Sequence, residues 1–411
     1  MSIHTCYLCY FGLREPLVQT QVLPYLRQLV EDGISVSLLT FEPQIHQQWT
    51  KEELTNEYTR LVSEGIRWFY RPYNKRPSIA ATIYDIFAGA STVVHLARVH
   101  KFNVLHARSH VPLTIALLAQ LRVRCRIVFD MRGLMGDEYV DAGIWRRDSL
   151  LFRLVKWLER VGLRRADQVV VLTQRMRDWL IQQELVSSEK LEVIPCCVDL
   201  SRFNKADIAV STQNQFEVIY AGSITGLYLL EEMARFFLQF RSQRPDAVLR
   251  ILTVSSTDNA ARLLHQLGLA SNDFWIGHVA PSDVPSYLCR AQLGISFRKP
   301  SFSQIAASPT KIAEYLAAGL PVVCNAGIGD IDKLLEKEKV GVILRSLNNE
   351  ACVEGVEKAL ALLRDPELRA RCKLVARRYF DITRVGKAGY QNLYDRLDAQ
   401  IACKLRAQAT Q

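Results

Sequence analysis

No stretch of this chain approaches the ~18 uninterrupted apolar residues that a membrane-crossing helix needs, so a spanning segment is not expected. The opening MSIHTCYLCYFGLREP lacks a cationic start and a clear cleavage site, and it reads as a first strand rather than an export signal. Short repeats and low-complexity tracts are missing too. Cysteine occurs ten times without metal-ligand spacing: Cys6 and Cys9 form one C-x-x-C, with no second pair and no histidine partner. A structural zinc site takes about four ligands, and two thiols three apart on a strand point to opposite faces. The expectation is a reducing, cytosolic setting in which cysteines serve as small buried hydrophobes. Acidic side chains are in deficit, 42 against 52 Lys and Arg. The resulting +10 suits nucleic acid, an anionic membrane surface or a polyanionic substrate. No aromatic-interleaved basic motif supports nucleic acid, which is not an expected partner.

What is present is a folded-chain composition, 49% apolar and 23% charged, over 411 residues, more than one core usually supports. Two domains of about 150–200 residues are expected. Short apolar runs alternate with amphipathic helical patterns, which predicts an α/β architecture with largely parallel sheets. Strands are expected at Ile3–Cys9, Val36–Leu39, Ile66–Tyr70, Val104–Ala107, Arg126–Asp130, Gln168–Leu172 and Leu191–Ile194. Helical patterns intervene at Pro16–Glu31, Ile79–His100 and Leu150–Arg165. The polar run Asn204–Gln215 is the linker candidate. A second alternation covers Phe216–Ala221, Val248–Val254, Phe274–Gly277, Leu293–Phe297, Val322–Cys324 and Val340–Ile343, and the tail after Arg364 holds no further strand. The domains expected are 1–204 and 205–384, with a helix over about 385–411 packing back onto the first. Ligands in such doubly wound sheets bind beyond the carboxyl ends of the strands.

The sharpest motif is SPTKIAEYLAAGLPVVCN, Ser308 to Asn325. Ser308 suits a cap, Pro309 the first helical position and Gly319 the left-handed end, while Pro321 stops the helix. Ile312, Tyr315 and Leu316 share the face that packs on the sheet, and Lys311 and Glu314 lie on another. A helix start carries free N–H donors and partial positive charge, a place for phosphate. Lys311 there is disfavoured by its own helix dipole unless an anion binds. Glu314, one turn on, suits the vicinal hydroxyls of a ribose. On residues alone, an exposed Lys–Glu pair on a core helix explains the motif as well as a nucleoside diphosphate site does.

The stretch resembles the nucleotide-sugar site of the retaining glycosyltransferases of family 4, which have the GT-B fold. In them the glutamate of E-(Y/A)-(L/M)-A-x-G-x-P-V-(V/I) binds the donor ribose, and the resemblance implies that role for Glu314. The loop at Gly12, ADQVVVLT (Ala166–Thr173), VIPCCVDLSRF (Val193–Phe203) and IYAGSITG (Ile219–Gly226) match in the expected order, so the likeness covers nearly the whole chain. It implies two Rossmann-like domains facing across a cleft. Two departures stand out. The family's Glu-x7-Glu pair lacks its first member, since Ala306 stands eight before Glu314. Its Arg and Lys at the second-domain opening are replaced by Gly222-Ser223-Ile224-Thr225-Gly226. Arg298, Lys299 and Lys311 are the candidates to neutralise the diphosphate instead, with Ser308 and Thr310 at the helix start completing the donor site.

In the first domain, VFDMRGLMGDEYVDAGIW (Val128–Trp145) concentrates charge just past a strand. It resembles the family loop that faces the transferred sugar, with Arg132 at the facing position. Arg132 is expected to meet donor phosphate or acceptor, and Asp130 or Glu138 to orient an acceptor hydroxyl; the alternative is a capped helix with solvated acids. HARSH (His106–His110) offers Arg108 or His110 to the acceptor pocket. The FGLREP loop brings Gly12, which permits close backbone approach to a ligand, and Arg14.

Asp330-Ile331-Asp332 is nominally a metal-holding D-x-D, but it opens a helical run where acids favour the dipole. No metal or cofactor is expected. Residues 144–165 hold seven basic and two acidic side chains, a net of +5, among two tryptophans and many aliphatics. Such a cationic amphipathic stretch suits an anionic membrane surface at its inner face, or else a core helix with a solvated basic side. The expected activity is transfer of a sugar, hexosyl in type, from a nucleoside diphosphate, uridine-linked, to a hydroxyl of a sugar or lipid-linked acceptor with retention. Cell-surface polysaccharide or glycolipid synthesis is the expected setting. The alternatives are a sugar-nucleotide epimerase or hydrolase and a non-catalytic sugar-nucleotide binder.

Overall fold

The computed structural model describes residues 3–74, 78–204 and 215–409, with the backbone alone described at 46 and 403–409. Contacts divide the chain into two units, Met1–Pro195 with Val385–Gln411, and Cys196–Arg384. The linker candidate falls, but for its end residues, outside the described residues.

Unit 1 is a seven-stranded parallel sheet of β1 (His4–Cys9), β2 (Ser35–Pro43), β3 (Ile66–Tyr73), β4 (Val104–Arg108), β5 (Arg126–Asp130), β6 (Gln168–Val171) and β7 (Leu191–Val193). Its order is β3-β2-β1-β4-β5-β6-β7, so the winding reverses between β1 and β4. Helices cover both faces, which is why these strands read as unbroken apolar runs. The Pro16–Glu31 pattern is two helices, Pro16–Gln21 and Leu23–Glu31, because the chain leaves helical geometry at Val22, ahead of Pro24. The Ser78–His100, His110–Gln120 and Leu150–Arg165 helices link β3 to β6 by successive parallel crossovers. Crossovers of one hand and one direction put them on one face of the sheet. The Lys387–Ala409 helix packs on the Leu23–Glu31 helix and β7. Its Tyr394 Oη pairs with Thr5 Oγ1 at 2.9 Å and His106 Nδ1 at 3.0 Å, so the far end of the chain completes this core.

Unit 2 is a six-stranded parallel sheet of β8 (Phe216–Ala221), β9 (Ala247–Leu252), β10 (Phe274–Gly277), β11 (Leu293–Ser296), β12 (Val322–Asn325) and β13 (Gly341–Leu344). The order β10-β9-β8-β11-β12-β13 reverses between β8 and β11. One face is packed by Phe236, Phe237, Phe240 and Phe297, the other by Ile312, Tyr315 and Leu316 of the Thr310–Ala317 helix. Gly294 on β11 gives the Tyr315 ring its seat, since a Cβ there would lie 2.9 Å from Tyr315 Cε2. Tyr315 Oη then accepts from the Ala221 amide at 2.8 Å and ties the helix to the end of β8. After β13 the described residues form no further strand, only an isolated bridge between Val198 and Asp381.

Candidate active site

Three strand ends and one helix start meet where the unit 2 sheet reverses, which is where open parallel sheets take ligands. Gly222 follows β8, Arg298 stands two residues past β11, Asn325 ends β12, and the Thr310–Ala317 helix opens beside them. Pro309 rather than Ser308 is the N-cap, and no side chain caps the helix. Ser308 is spent elsewhere: its Oγ accepts from the Cys196 amide at 3.1 Å. Among the described residues no side chain caps the opening amides of the helix.

Lys311 is buried and points at Tyr220, donating to its Oη at 2.8 Å. Its ammonium also lies 4.1 Å from the Tyr220 ring centre and 3.9 Å from that of Tyr228. Gly222 makes this possible. At φ +143 it takes a conformation that favours glycine, and a Cβ would stand 2.6 Å from Lys311 Nζ. Arg298 approaches Tyr228 from the other strand end, its guanidinium carbon 4.9 Å from the ring centre. Its Nε donates to Gln304 Oε1 at 2.7 Å, and its amide donates to Asn325 Oδ1 at 2.8 Å. Burial, and then Arg298, push the Lys311 amine well below the usual lysine range, with Glu314 opposing. Neither cation makes an ion pair among the described residues. An anion held here would relieve both.

Glu314 is part-buried and pairs with Arg202 at 3.6 Å. Burial raises its pKa, while Arg202 and Lys311 oppose that rise. Ser223 lies just beyond Gly222, its Oγ within 3.2 Å of Thr225 Oγ1 and its carbonyl accepting from Tyr220 Oη. Thr310 is half-buried at the first helical position. Lys299 is exposed, its backbone tied to Leu227, so of the two neighbouring cations Arg298 is the one in the cluster. Tyr220, Tyr228, Gln304, Asn325 and Arg202 were not legible as site residues. Arg202 lies inside VIPCCVDLSRF, and only the overall run, not the arginine, carried a signal.

In unit 1 the candidates fall into two sets. Asp130 was expected to orient an acceptor hydroxyl, but the structure buries it completely. Its Oδ2 accepts from Tyr7 Oη at 3.0 Å and stands 3.4 Å from Arg108 Nη1, and its Oδ1 stands 3.4 Å from Arg132 Nη1. Burial would raise this carboxyl, yet Arg132 and Arg108 hold it below the usual carboxylate range. Asp130 is therefore an internal counter-ion to Arg108 and Arg132. Arg108 is itself only 4% exposed and also donates to the Gln21 carbonyl, so it braces the strand ends rather than opening to an acceptor. His110 is buried against Glu159 at 3.1 Å. Arg132 is part-exposed and Glu138 half-buried, with its carboxylate against Gly133.

The FGLREP loop is organised by a residue the sequence did not flag. Glu42 is buried on β2 and accepts from the Leu13 amide at 2.8 Å and Thr40 Oγ1 at 2.5 Å. Gly12 was expected to admit a ligand; the neighbours it admits are Pro43 and Glu42, 2.7 and 2.9 Å from a modest Cβ. Arg14 turns outward to Glu53 at 2.8 Å, the Gln48 carbonyl at 2.6 Å and the Trp49 ring at 3.7 Å. At the D-x-D, Asp330 is the N-cap of the Ile331–Glu338 helix and Asp332 accepts from the Gly327 amide at 2.8 Å. Among the described residues no group of three or more His, Cys, Asp or Glu could hold a metal ion.

Comparison with known proteins agrees with this fold. The fold is the α/β class of two Rossmann-like domains found in GT-B glycosyltransferases. Residues 18–202 match the model described as Glycosyltransferase Family 4, and residues 202–379 match Glycosyl transferases group 1. The chain belongs to the family 4, group 1 glycosyltransferases. No curated relative matches it by sequence. Among solved structures it is similar to a sucrose-phosphate synthase from Thermosynechococcus elongatus, at 13% identity and TM-score 0.71, covering 97% of this chain and 100% of that one. A glycosyltransferase from Rickettsia africae is similar at 14% identity and TM-score 0.68, covering 97% and 99%. HepE from Anabaena, solved with UDP and glucose, is similar at 16% identity and TM-score 0.65, covering 95% and 99%.

Proposed function

We propose that this glycosyltransferase uses a uridine diphosphate sugar, and that Lys311, Arg298 and the start of the Thr310–Ala317 helix receive the diphosphate while Glu314 receives the ribose. The observation that carries the reading is the pair of cations against Tyr228, neither ion-paired among the described residues, beside a helix start with no side-chain cap. HepE, of like fold, binds UDP and glucose.

On this reading catalysis is electrostatic. The bond from the sugar's anomeric carbon to the diphosphate oxygen breaks, and negative charge grows on that oxygen, where fixed cations and amides stabilise it most. An acceptor hydroxyl attacks from the same face, forming the new glycosidic bond with retention, and its proton passes to the departing diphosphate oxygen. No separate protein base is then needed. Arg132, set by Asp130, is the unit 1 residue proposed to meet the acceptor, with Glu138 orienting its hydroxyl. The acceptor proposed is a sugar or a lipid-linked sugar, and the setting is cell-surface polysaccharide or glycolipid synthesis on the cytosolic side. The chemistry proposed calls on no metal.

A thermal-shift panel of nucleotides and nucleotide sugars tests the donor site; stabilisation by UDP and its sugars is expected, and a flat response rejects the reading. Anomeric configuration of the product by NMR tests retention. The cation-free Gly222–Gly226 run favours one second reading, sugar-nucleotide binding without transfer. Acceptor-dependent turnover of the donor separates the two.

A further inference from the structure

The helix layer that carries the unit 1 crossovers turns apolar side chains to its outer side. On the Leu150–Arg165 helix, Leu150, Leu154 and Trp157 are 82, 51 and 58% exposed, and their spacing of four and three puts them on one face. Arg153, Arg160 and Arg164 are exposed beside them, the first two one helical turn from a member of that row and Arg164 two turns beyond Trp157. These arginines make no ion pair among the described residues. The inward cation of the same helix behaves differently: Lys156 binds Asp137 at 2.9 Å and also Glu159.

The Ser78–His100 helix presents a second apolar row. Ile79, Ile83, Tyr84 and Phe87 are between 50 and 63% exposed. The helix has one carboxylate, Asp85, and it is turned inward, accepting from Tyr10 Oη at 2.8 Å and from Asn74. Among the described helices this is the one long and apolar enough to cross a membrane by length and composition. Its other face is locked on the protein through Ala81, Gly89, Ala90 and Val93, and a Cβ at Gly89 would lie 2.9 Å from Ile115 Cδ1 and 3.0 Å from Phe41 Cζ. It can lie on a surface but not pass through one.

The two rows are neighbours. The His110–Gln120 helix packs against both helices. At their starts, the Tyr73 phenol is within electrostatic reach of both Asp85 and Tyr139, and Tyr139 stacks on Trp145 at 4.4 Å in the turn that leads to Leu150. Ile144 in that turn is 65% exposed.

We propose that this outer face of the Ser78–His100 and Leu150–Arg165 helices docks on an anionic lipid surface, its apolar rows entering the headgroup boundary and its arginines meeting lipid phosphate. Charge decides against a second copy of the chain as the occupant. Two such faces would bring their arginines together, whereas an anionic bilayer neutralises them. Each basic residue at such a surface strengthens binding about fivefold, corresponding to ~1 kcal/mol. The apolar side chains add a term that salt does not screen. The inference is independent of what unit 2 binds.

The test is co-sedimentation of the full chain with vesicles of phosphatidylcholine alone or with roughly one third phosphatidylglycerol added. Binding to the anionic vesicles, weakened by salt, is expected, with little on the neutral ones. Arg153→Gln, Arg160→Gln and Arg164→Gln together should weaken it about a hundredfold, at three such charges. Ile83→Ser with Phe87→Ser should weaken it at every salt concentration, while the thermal unfolding midpoint of the free protein stays at the parent value and reports an intact fold. Equal binding to neutral vesicles, or an unchanged triple variant, overturns the proposal. So does a free protein that sediments as a dimer and becomes a monomer on Ile83→Ser with Phe87→Ser, which would make this face an interface between copies.

Discussion

Arg202 Nη1 stands 3.6 Å from Glu314 Oε1, and among the described residues it is the cation that pairs with this carboxylate from outside its own helix. Lys311, one turn earlier on that helix, has its amine turned to Tyr220 instead. Arg202 is itself anchored, donating to the Pro281 carbonyl at 2.9 Å. The pair has a consequence for pH. Burial raises Glu314, Arg202 and then Lys311 restrain it, and the neighbouring Tyr315 phenol stays neutral. Removing Arg202 should raise the carboxyl further. If the ionised form holds the ribose, UDP affinity is lost as pH falls through the Glu314 pKa, and Arg202→Gln moves that loss to higher pH. Arg202→Lys should restore part of the shift. Calorimetric titrations across pH give the midpoint, and a profile merely lowered at every pH rejects the coupling.

Glu314→Gln should weaken UDP binding by ~1.5–3 kcal/mol, the size of hydrogen bonds to a charged group. The deficit should persist with uridine but vanish with inorganic pyrophosphate, which has no ribose. Equal losses for both ligands would place Glu314 outside ribose recognition.

Lys311→Met should stabilise the unliganded chain and abolish diphosphate affinity. The folded-state pKa of Lys311 is depressed by burial and Arg298, so the unfolded chain binds more protons and stability rises with pH toward the ordinary lysine range. The methionine variant should lose that rise. Diphosphate binding should raise the Lys311 pKa back toward the ordinary lysine range, so proton uptake on binding should grow as pH rises above the unliganded value, readable as a buffer-dependent calorimetric enthalpy. A variant with parental slope and parental affinity would contradict the assignment.

Asp130→Ala should cost ~3–5 kcal/mol, because it removes the fully buried carboxylate that faces Arg108 and Arg132. The folded pKa of Asp130 is held low, so its contribution is present above the unfolded carboxylate value and is lost as pH falls through the folded value. The parent should therefore lose this stability in acid and the variant should not, as thermal unfolding across the acid range will show.

The strands were legible because parallel sheets buried on both faces leave short apolar runs, and each of the thirteen has a counterpart in the alternation. Their ends were less so: β2 continues through Phe41 and Glu42 to Pro43, past the expected Leu39. The donor helix was legible from Pro309 and Gly319, yet Ser308 was misplaced as its cap because nothing local reveals that the Cys196 amide, 112 residues away in sequence, claims its hydroxyl. Spacing singled out Lys311 and Glu314 but left an ordinary exposed Lys–Glu pair equally open, and the ribose role expected of Glu314 came from the resemblance. Tyr220, Tyr228 and Arg202 were not singled out, since tyrosines at a strand end look like core and one arginine looks like any other. Asp130 looked like a site residue because charge at a strand end is the same signal whether it faces substrate or braces two arginines.

Tyr390 and Tyr394 close the unit 1 network from the last helix, reaching Asp130, His106 and Thr5. Thr5 on the first strand thus waits for a partner 389 positions later. During synthesis, the early sheet must persist with its polar network open while the whole of unit 2 is translated. Nascent chains stalled before residue 387 should therefore be more open to protease in unit 1 than the released protein is.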